Sequence, residues 1–307
     1  MTKSQIKIRS FAFLVIFPFF SLNSFGQGCS DAGFCTIDGF KPFTGNNVDM
    51  TSHQIKIGFF YGNADHTISV YGNYLEYNRQ VNNKLGIDLK LSSLIQKGNN
   101  ISSSGISDVF INGNYKVSEN LKITLGSKIP LSNADKTNKT LPLPMDYQSS
   151  LGTLDLIFGI GYAIKSLHLV AAMQQPLTQN SNQFIASNYP LNSELRTFQS
   201  THTFKRSGDV LLRASYPISV TPKFKLTPSI LPIYHLKDDQ FVDELNVEKE
   251  IQGSQGLTLN GNIYLDYEIN SRNILQINFG TPFIFRDSRP DGLTRKFIGN
   301  LEYRIKF

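Results

Sequence analysis

The feature that most constrains this chain is a two-residue alternation of apolar and polar side chains that runs almost its whole length. In "KLGIDLKLSSLIQKG", Leu85, Ile87, Leu89 and Leu91 alternate with Gly86, Asp88, Lys90 and Ser92. In "GLTLNGNIYLDYEIN", Leu257, Leu259, Ile263, Leu265, Tyr267 and Ile269 alternate with Thr258, Asn260, Asn262, Asp266 and Glu268. Successive side chains of a strand point to opposite faces, so this pattern predicts strands with one apolar and one polar face. No window of similar length has a helical period; "FVDELNVEKE" comes nearest and is short.

About twelve such segments can be marked: 53–63, 66–79, 84–97, 105–117, 120–130, 150–165, 166–176, 207–219, 222–235, 256–270, 272–286 and 293–307. Each is about ten to fifteen residues, against about five or six for a common soluble strand and about nine to eleven for a tilted membrane-crossing one. Connections after the even-numbered segments are short, such as "QVNNK", "VSEN" and "NSRN". Those after segments three, five, seven, nine and eleven read as longer, with 131–149, 177–206 and 236–255 the longest; only "NADH" after the first breaks the rhythm. An even number of long strands with alternating short and long loops describes an all-β, transmembrane, antiparallel up-and-down barrel spanning 53–307. A secreted soluble β domain is the other fold with this period, since alternation alone does not say which face is inside.

The ends of the chain agree with export to an outer membrane. Lys3, Lys7 and Arg9 precede the apolar run "FAFLVIFPFF", and Ser24 and Gly26 are the small residues of a cleavage site, so 1–26 reads as a signal peptide. Its removal takes the formal charge from +6 to +3, which with no basic, aromatic-interleaved run argues against nucleic acid. At the other end "FIGNLEYRIKF" alternates to a final Phe307 in the apolar phase, which resembles the C-terminal signal read by barrel-assembly machinery. Outer-membrane lipid, that machinery and a small-molecule solute are the partners expected of a monomer.

The polar face carries the candidate lumen or solute-path residues Asp88, Lys90, Asp108, Lys128, Asp155, Asp209, Arg213, Asp266, Glu268 and Arg304, with Lys56, Lys122, Glu302 and Lys306 in the same phase. Opposite signs two residues apart can form a selective constriction or internal ion pairs that brace a narrow barrel. Catalysis has no foothold. His53, His66, His168, His202 and His235 are followed two residues later by Ile55, Ile68, Val170, Phe204 and Lys237, never by a Ser, and neither G-x-S-x-G nor H-E-x-x-H occurs. His168 reads as a lumen residue, and the other histidines as solvated strand-end or loop residues. No cofactor or metal is called for, and the chain reads as no enzyme. The loops "KTLPLPMDYQSS" and "NQFIASNYPLNSELRTF" are rich in apolar residues, suited either to collecting a hydrophobic solute or to folding inward over the lumen.

Ahead of the first strand, "GCSDAGFCTIDGFKP" holds Cys29 and Cys35 with Asp31 between them. In an oxidising compartment two cysteines favour a disulfide, and two thiols with one carboxylate are too few ligands for a closed zinc site. Residues 27–52 thus read as a periplasmic segment with a disulfide-closed clasp, either tucking "FCTIDGFKPF" into the lumen as a hatch or trailing as a tethered end.

"GISDVFINGNYKVSENLKITLGSKIPL" followed by "GTLDLIFGIGYAI", about 105–165, resembles the outer-membrane family named for meta-pathway phenol degradation, through Gly105, Ile106, Asp108, Tyr115, Lys128 and Pro130. Ser107 stands where that family usually has a second Gly. The resemblance implies passive passage of a small hydrophobic or aromatic solute; the alternative is a structural or partner-binding barrel with a closed lumen. The sequence Ser-Phe-Gly-Gln at 24–27 is similar to the signal-peptide ends of Bacteroidota.

Overall fold

The computed structural model describes residues 36–42, 53–292 and 296–307. Cys29 and Cys35 lie outside the described residues, as do residues 1–26, the stretch expected to be a signal peptide. Twelve strands form one closed antiparallel barrel: β1 (His53–Asn63), β2 (Ser69–Gln80), β3 (Leu85–Gly98), β4 (Ile101–Lys116), β5 (Leu121–Pro130), β6 (Asp155–Ile164), β7 (Leu167–Pro176), β8 (Asp209–Ser215), β9 (Phe224–His235), β10 (Gly256–Glu268), β11 (Asn273–Ile284) and β12 (Phe297–Lys306). Each strand pairs with its sequence neighbours, and β1 closes on β12 from Gln54↔Lys306 to Asn63↔Phe297. Closure leaves no free sheet edge, a condition for β-structure to cross lipid.

The barrel is inside-out relative to a soluble domain. Outward positions such as Phe59, Leu75, Leu125, Ile230 and Leu301 are exposed, while Lys56, Lys90, Asp108, Lys128, Asp155 and Glu302 in the opposite phase are buried. One exterior girdle contains Tyr61, Tyr71, Tyr234, Phe283 and Phe297 near the long-loop end; another contains Tyr115, Tyr162, Tyr267, Tyr303 and Phe307 near the short-turn end. Aromatic rings gather at the two interfaces of a bilayer, so the apolar belt between them marks the lipid-facing zone.

Local chemistry explains the irregularities. Asn99 and Asn100 both take positive φ (49° and 59°), which closes β3 and β4 in a two-residue turn rather than the longer loop expected there. On β4, Ser107 and Asp108 stand opposite the single Ser92 and both point inward, a β-bulge that shifts the phase of the strand. β8 is the shortest barrel strand because Tyr216–Pro217 interrupts it; its continuation, Ile218–Thr221, pairs with β9 alone. The segment proposed as nearest to helical forms instead an exposed hairpin, Gln240–Val242 with Glu248–Glu250.

The long loops fold inward. Leu143, Tyr147, Phe184, Tyr189, Leu195 and Phe198 join Phe60, Val70, Tyr74 and Leu94 of the wall in one buried cluster. Asn182 Nδ2 donates to the carbonyls of Ala134 (2.8 Å) and Leu143 (3.0 Å), tying the loop 177–208 to the loop 131–154. Tyr147 Oη donates to the Gly98 carbonyl at 2.9 Å, and burial pushes its phenol up to about 12, so it stays a donor. Of the two roles these apolar loops suit, they take that of a cap.

Candidate functional site

Residues 36–42 lie inside the barrel. Asp38–Phe40 make one 3-10 turn, with the backbone extended on either side. The turn presents Ile37 and Phe40, each 1% exposed, to an apolar patch of Phe110, Ile157, Val170, Ala172, Leu211 and Leu231 on the wall. Gly159 makes room for the ring: a Cβ there would stand 2.2 Å from Phe40 Cε1. Gly39 is seated equally closely, since a Cβ on it would meet Asn114 Oδ1 and Thr124 Oγ1, both at 2.7 Å.

Polar contacts hold the rest of the segment. Lys41 Nζ donates to Glu302 Oε2 (2.7 Å), which also accepts from Tyr74 Oη (2.5 Å). Lys56 bridges Asp38 and Glu76, the latter at 2.9 Å. Lys90 Nζ donates to Thr36 Oγ1 (2.9 Å), and Arg213 donates to the Phe40 carbonyl (2.6 Å). With the apolar patch and the close approaches at Gly39 and Gly159, the contacts fall on β1, β3, β4, β5, β6, β7, β8, β9 and β12, so seven residues brace against most of the wall. Burial pushes the Asp38 carboxyl up, but the Lys56 ammonium beside it prevails and holds it at about 2. The Asp38 side chain keeps 40% of its surface open, so the pair contributes less than a sealed one would.

Nine of the ten sequence-derived lumen candidates are buried inside the barrel. Asp88 accepts from Asn78 (2.7 Å) and Asn114 (2.5 Å). Asp108, turned inward by the bulge, accepts from Ser107 (2.9 Å) and from Ser150 of the cap (2.6 Å). Lys128 pairs with Asp155 at 2.9 Å, both wholly buried. Arg304 contacts Glu302 and, at 3.6 Å, Asp266. Lys90 and Arg213 meet the inserted segment as described. Glu268 differs: it has the right phase but sits at the end of β10 past the last inward rung, exposed at the rim.

His235 departs from the expectation of a solvated strand-end residue. It is 1% exposed, with Nδ1 2.7 Å from Asp209 Oδ1 and Nε2 2.8 Å from Asp239 Oδ1. Both ring nitrogens face carboxylates, so both donate and the ring is an imidazolium. Arg206 contacts Asp209 and lies 3.5 Å from Asp291, which also binds Arg286 at 3.0 Å. This network stitches the loop 177–208, β8, β9, the loop 236–255 and the stretch before β12. Among the histidines of the sequence only the i, i+4 spacing to Asp239 hinted at it; Asp209 is supplied by register, Asp209↔His235.

No protein-family model matches the chain, and no curated protein sequence matches it significantly. Solved structures do. The COG4313 outer membrane channel from Pseudomonas putida F1 is similar over 87% of this chain and 99% of its own, at 12% identity and a TM-score of 0.61. The NanC porin (11% identity, 82% and 98% covered, TM-score 0.47) and the KdgM porin (9%, 82% and 99%, TM-score 0.42) are looser matches. At such identities the likeness is one of fold. Together with the lipid-facing belt it makes this chain a twelve-stranded outer-membrane barrel.

Proposed function

We propose that the protein is an outer-membrane channel for passive passage of a small hydrophobic or aromatic solute, with residues 36–42 as its hatch. The observation that carries this reading is the inserted segment itself. It occupies the lumen through side-chain contacts, and among the described residues no strand pairing fixes it to the wall. Withdrawing it would uncover the apolar patch around Phe110, Ile157 and Leu211, a surface suited to an apolar or aromatic body; the resemblance of 105–165 to the phenol-degradation family supports the same solute class. The Ser107–Asp108 bulge, part of that resemblance, holds the cap to the wall through Ser150. In this reading residues 27–35, with Cys29 and Cys35 joined, form the periplasmic handle of the hatch, and the strand ending at Phe307 addresses a monomer to the assembly machinery.

The packed cap and the paired lumen charges favour a second reading, a barrel with a permanently closed lumen. Deleting residues 27–48 separates the two. The truncated barrel should admit small aromatic solutes into liposomes well above the full-length rate. Equal, background-level entry in both proteins would leave the closed barrel as the function.

A further inference from the structure

The end of the barrel that carries the short turns is ringed with cations. Lys84 closes the β2–β3 turn, Lys165 sits in the β6–β7 turn and Lys223 in the β8–β9 connection, with Lys225 two residues on; Arg272 lies in the β10–β11 turn, and Lys306 ends β12. Lys84, Lys165, Lys223 and Arg272 are exposed, and Lys225 and Lys306 are half-buried. Among the described residues none of these six is in an ion pair. At the remaining short turn, between β4 and β5, Lys116 is already paired with Glu119 at 3.0 Å. Glu268 is the one other exposed side-chain carboxylate at this rim among the described residues. The six cations and Glu268 carry +5, whereas the whole chain beyond residue 26 carries +3, so the rest of the molecule is net negative. Residues 27–35 and 43–52 hold two acids between them, Asp31 and Asp49, too few to balance the ring. A surface that needs only solubility mixes both signs; one sign gathered at one end makes a field that draws the opposite charge.

Spacing and direction narrow the ligand. Neighbouring strands stand about 4.8 Å apart, so successive turns follow one another at about 10 Å around the rim. A small anion there touches one cation at a time. An extended chain with a carboxylate at every third residue, at about 3.3 Å per residue, keeps step with the ring. Lys84, Lys225, Arg272 and Lys306 continue the inward phase of Gly86, Thr227, Ile274 and Arg304, so they edge the mouth rather than the lipid-facing wall. Short turns face the periplasm, so what meets the ring comes from that side.

We propose that this rim is a docking surface for an extended acidic segment of a periplasmic protein, laid across the mouth on Lys84, Lys165, Lys223, Lys225, Arg272 and Lys306. Each exposed pair contributes little, so affinity comes from their number and orientation from the ring. Docking does not depend on whether the lumen conducts.

The test is fluorescence anisotropy with the full refolded chain in zwitterionic micelles. The probe is a labelled peptide of repeated Glu-Ser-Gly, and its control is the Gln-Ser-Gly counterpart. The acidic peptide should bind saturably and ever more weakly as salt is added. Lys165→Gln, Lys223→Gln and Arg272→Gln together should weaken it about tenfold, the effect of three exposed ion pairs. Lys97→Gln, Lys139→Gln and Lys237→Gln together remove the same charge from exposed positions at the long-loop end and should leave binding unchanged. Heat-modifiable gel migration reports that each variant is folded, and Lys84→Gln with Lys225→Gln tests the same ring if the first set is not. Absence of saturable binding, equal binding of the glutamine peptide, or equal loss in the two triple variants overturns the proposal. So does retention of phosphatidylglycerol without peptide binding, which would assign the ring to the inner leaflet.

Discussion

Phe40 offers the most direct way to loosen the hatch. Its ring is 1% exposed and rests in a hollow that exists because residue 159 is glycine. Truncating a buried Phe to Ala costs about 3–5 kcal/mol in well-packed interiors. Phe40→Ala leaves the polar anchors in place: Lys41 keeps Glu302, and Arg213 keeps the carbonyl of residue 40. Taking about 3 kcal/mol, the docked state loses roughly two orders of magnitude against the undocked one. In planar bilayers this should appear as a comparable rise in the frequency of open events, with the conductance of each event unchanged because the wall is unaltered. Gly159→Leu attacks the same contact from the wall, since the added atoms occupy the place of the ring. The two changes together should cost clearly less than the sum of their separate effects, because the same packing is lost only once. An opening frequency in folded Phe40→Ala equal to wild type would refute the argument, as would strict additivity of the pair.

Two further outcomes are expected. His235→Gln leaves Asp209 and Asp239 without the imidazolium between them, which should destabilise the cap by about 3 kcal/mol and speed proteolytic cutting within 236–255, while a urea titration still shows a folded barrel. The hatch should also respond to acid. Asp38 sits at about 2 when docked, against about 3.9 when free. A carboxyl lowered in the docked state stabilises docking above its free value and loses that contribution as pH falls toward the docked one. Open events in planar bilayers should thus be insensitive to pH from neutral to about 5 and become more frequent below about 4; a rise already complete near pH 6 would contradict this.

The barrel was legible because its determinants are local. Period-two alternation at Leu85–Leu91 or Leu257–Tyr267 marks a strand wherever it occurs, and a short turn such as Lys165–Ser166 forces its neighbours to pair. Where the local signal failed, geometry explains why. The β3–β4 turn is hidden in "KGNNISSSG", a polar run that reads as a loop until both asparagines are seen at positive φ. The bulge at Ser107–Asp108 turns two consecutive side chains inward, which no strict alternation expresses. Glu268 had its phase read correctly but not its height along the barrel, which depends on strand stagger. The site was less legible than the fold. A seven-residue stretch carries no period, and the fit of Phe40 depends on a hollow at Gly159 that lies 119 positions away.

The Lys41–Glu302 pair spans 261 positions of sequence. Glu302 belongs to β12, the strand that closes on β1, so the seat of the hatch does not exist until the cylinder is sealed. Contacts so distant along the chain form late, because the loop they close must be ordered first. The segment that precedes every strand thus completes its seat after all of them have paired. Assembly acquires an order from this arrangement: an incompletely closed barrel cannot be fully stoppered, and the docked stopper is itself a sign that closure has occurred.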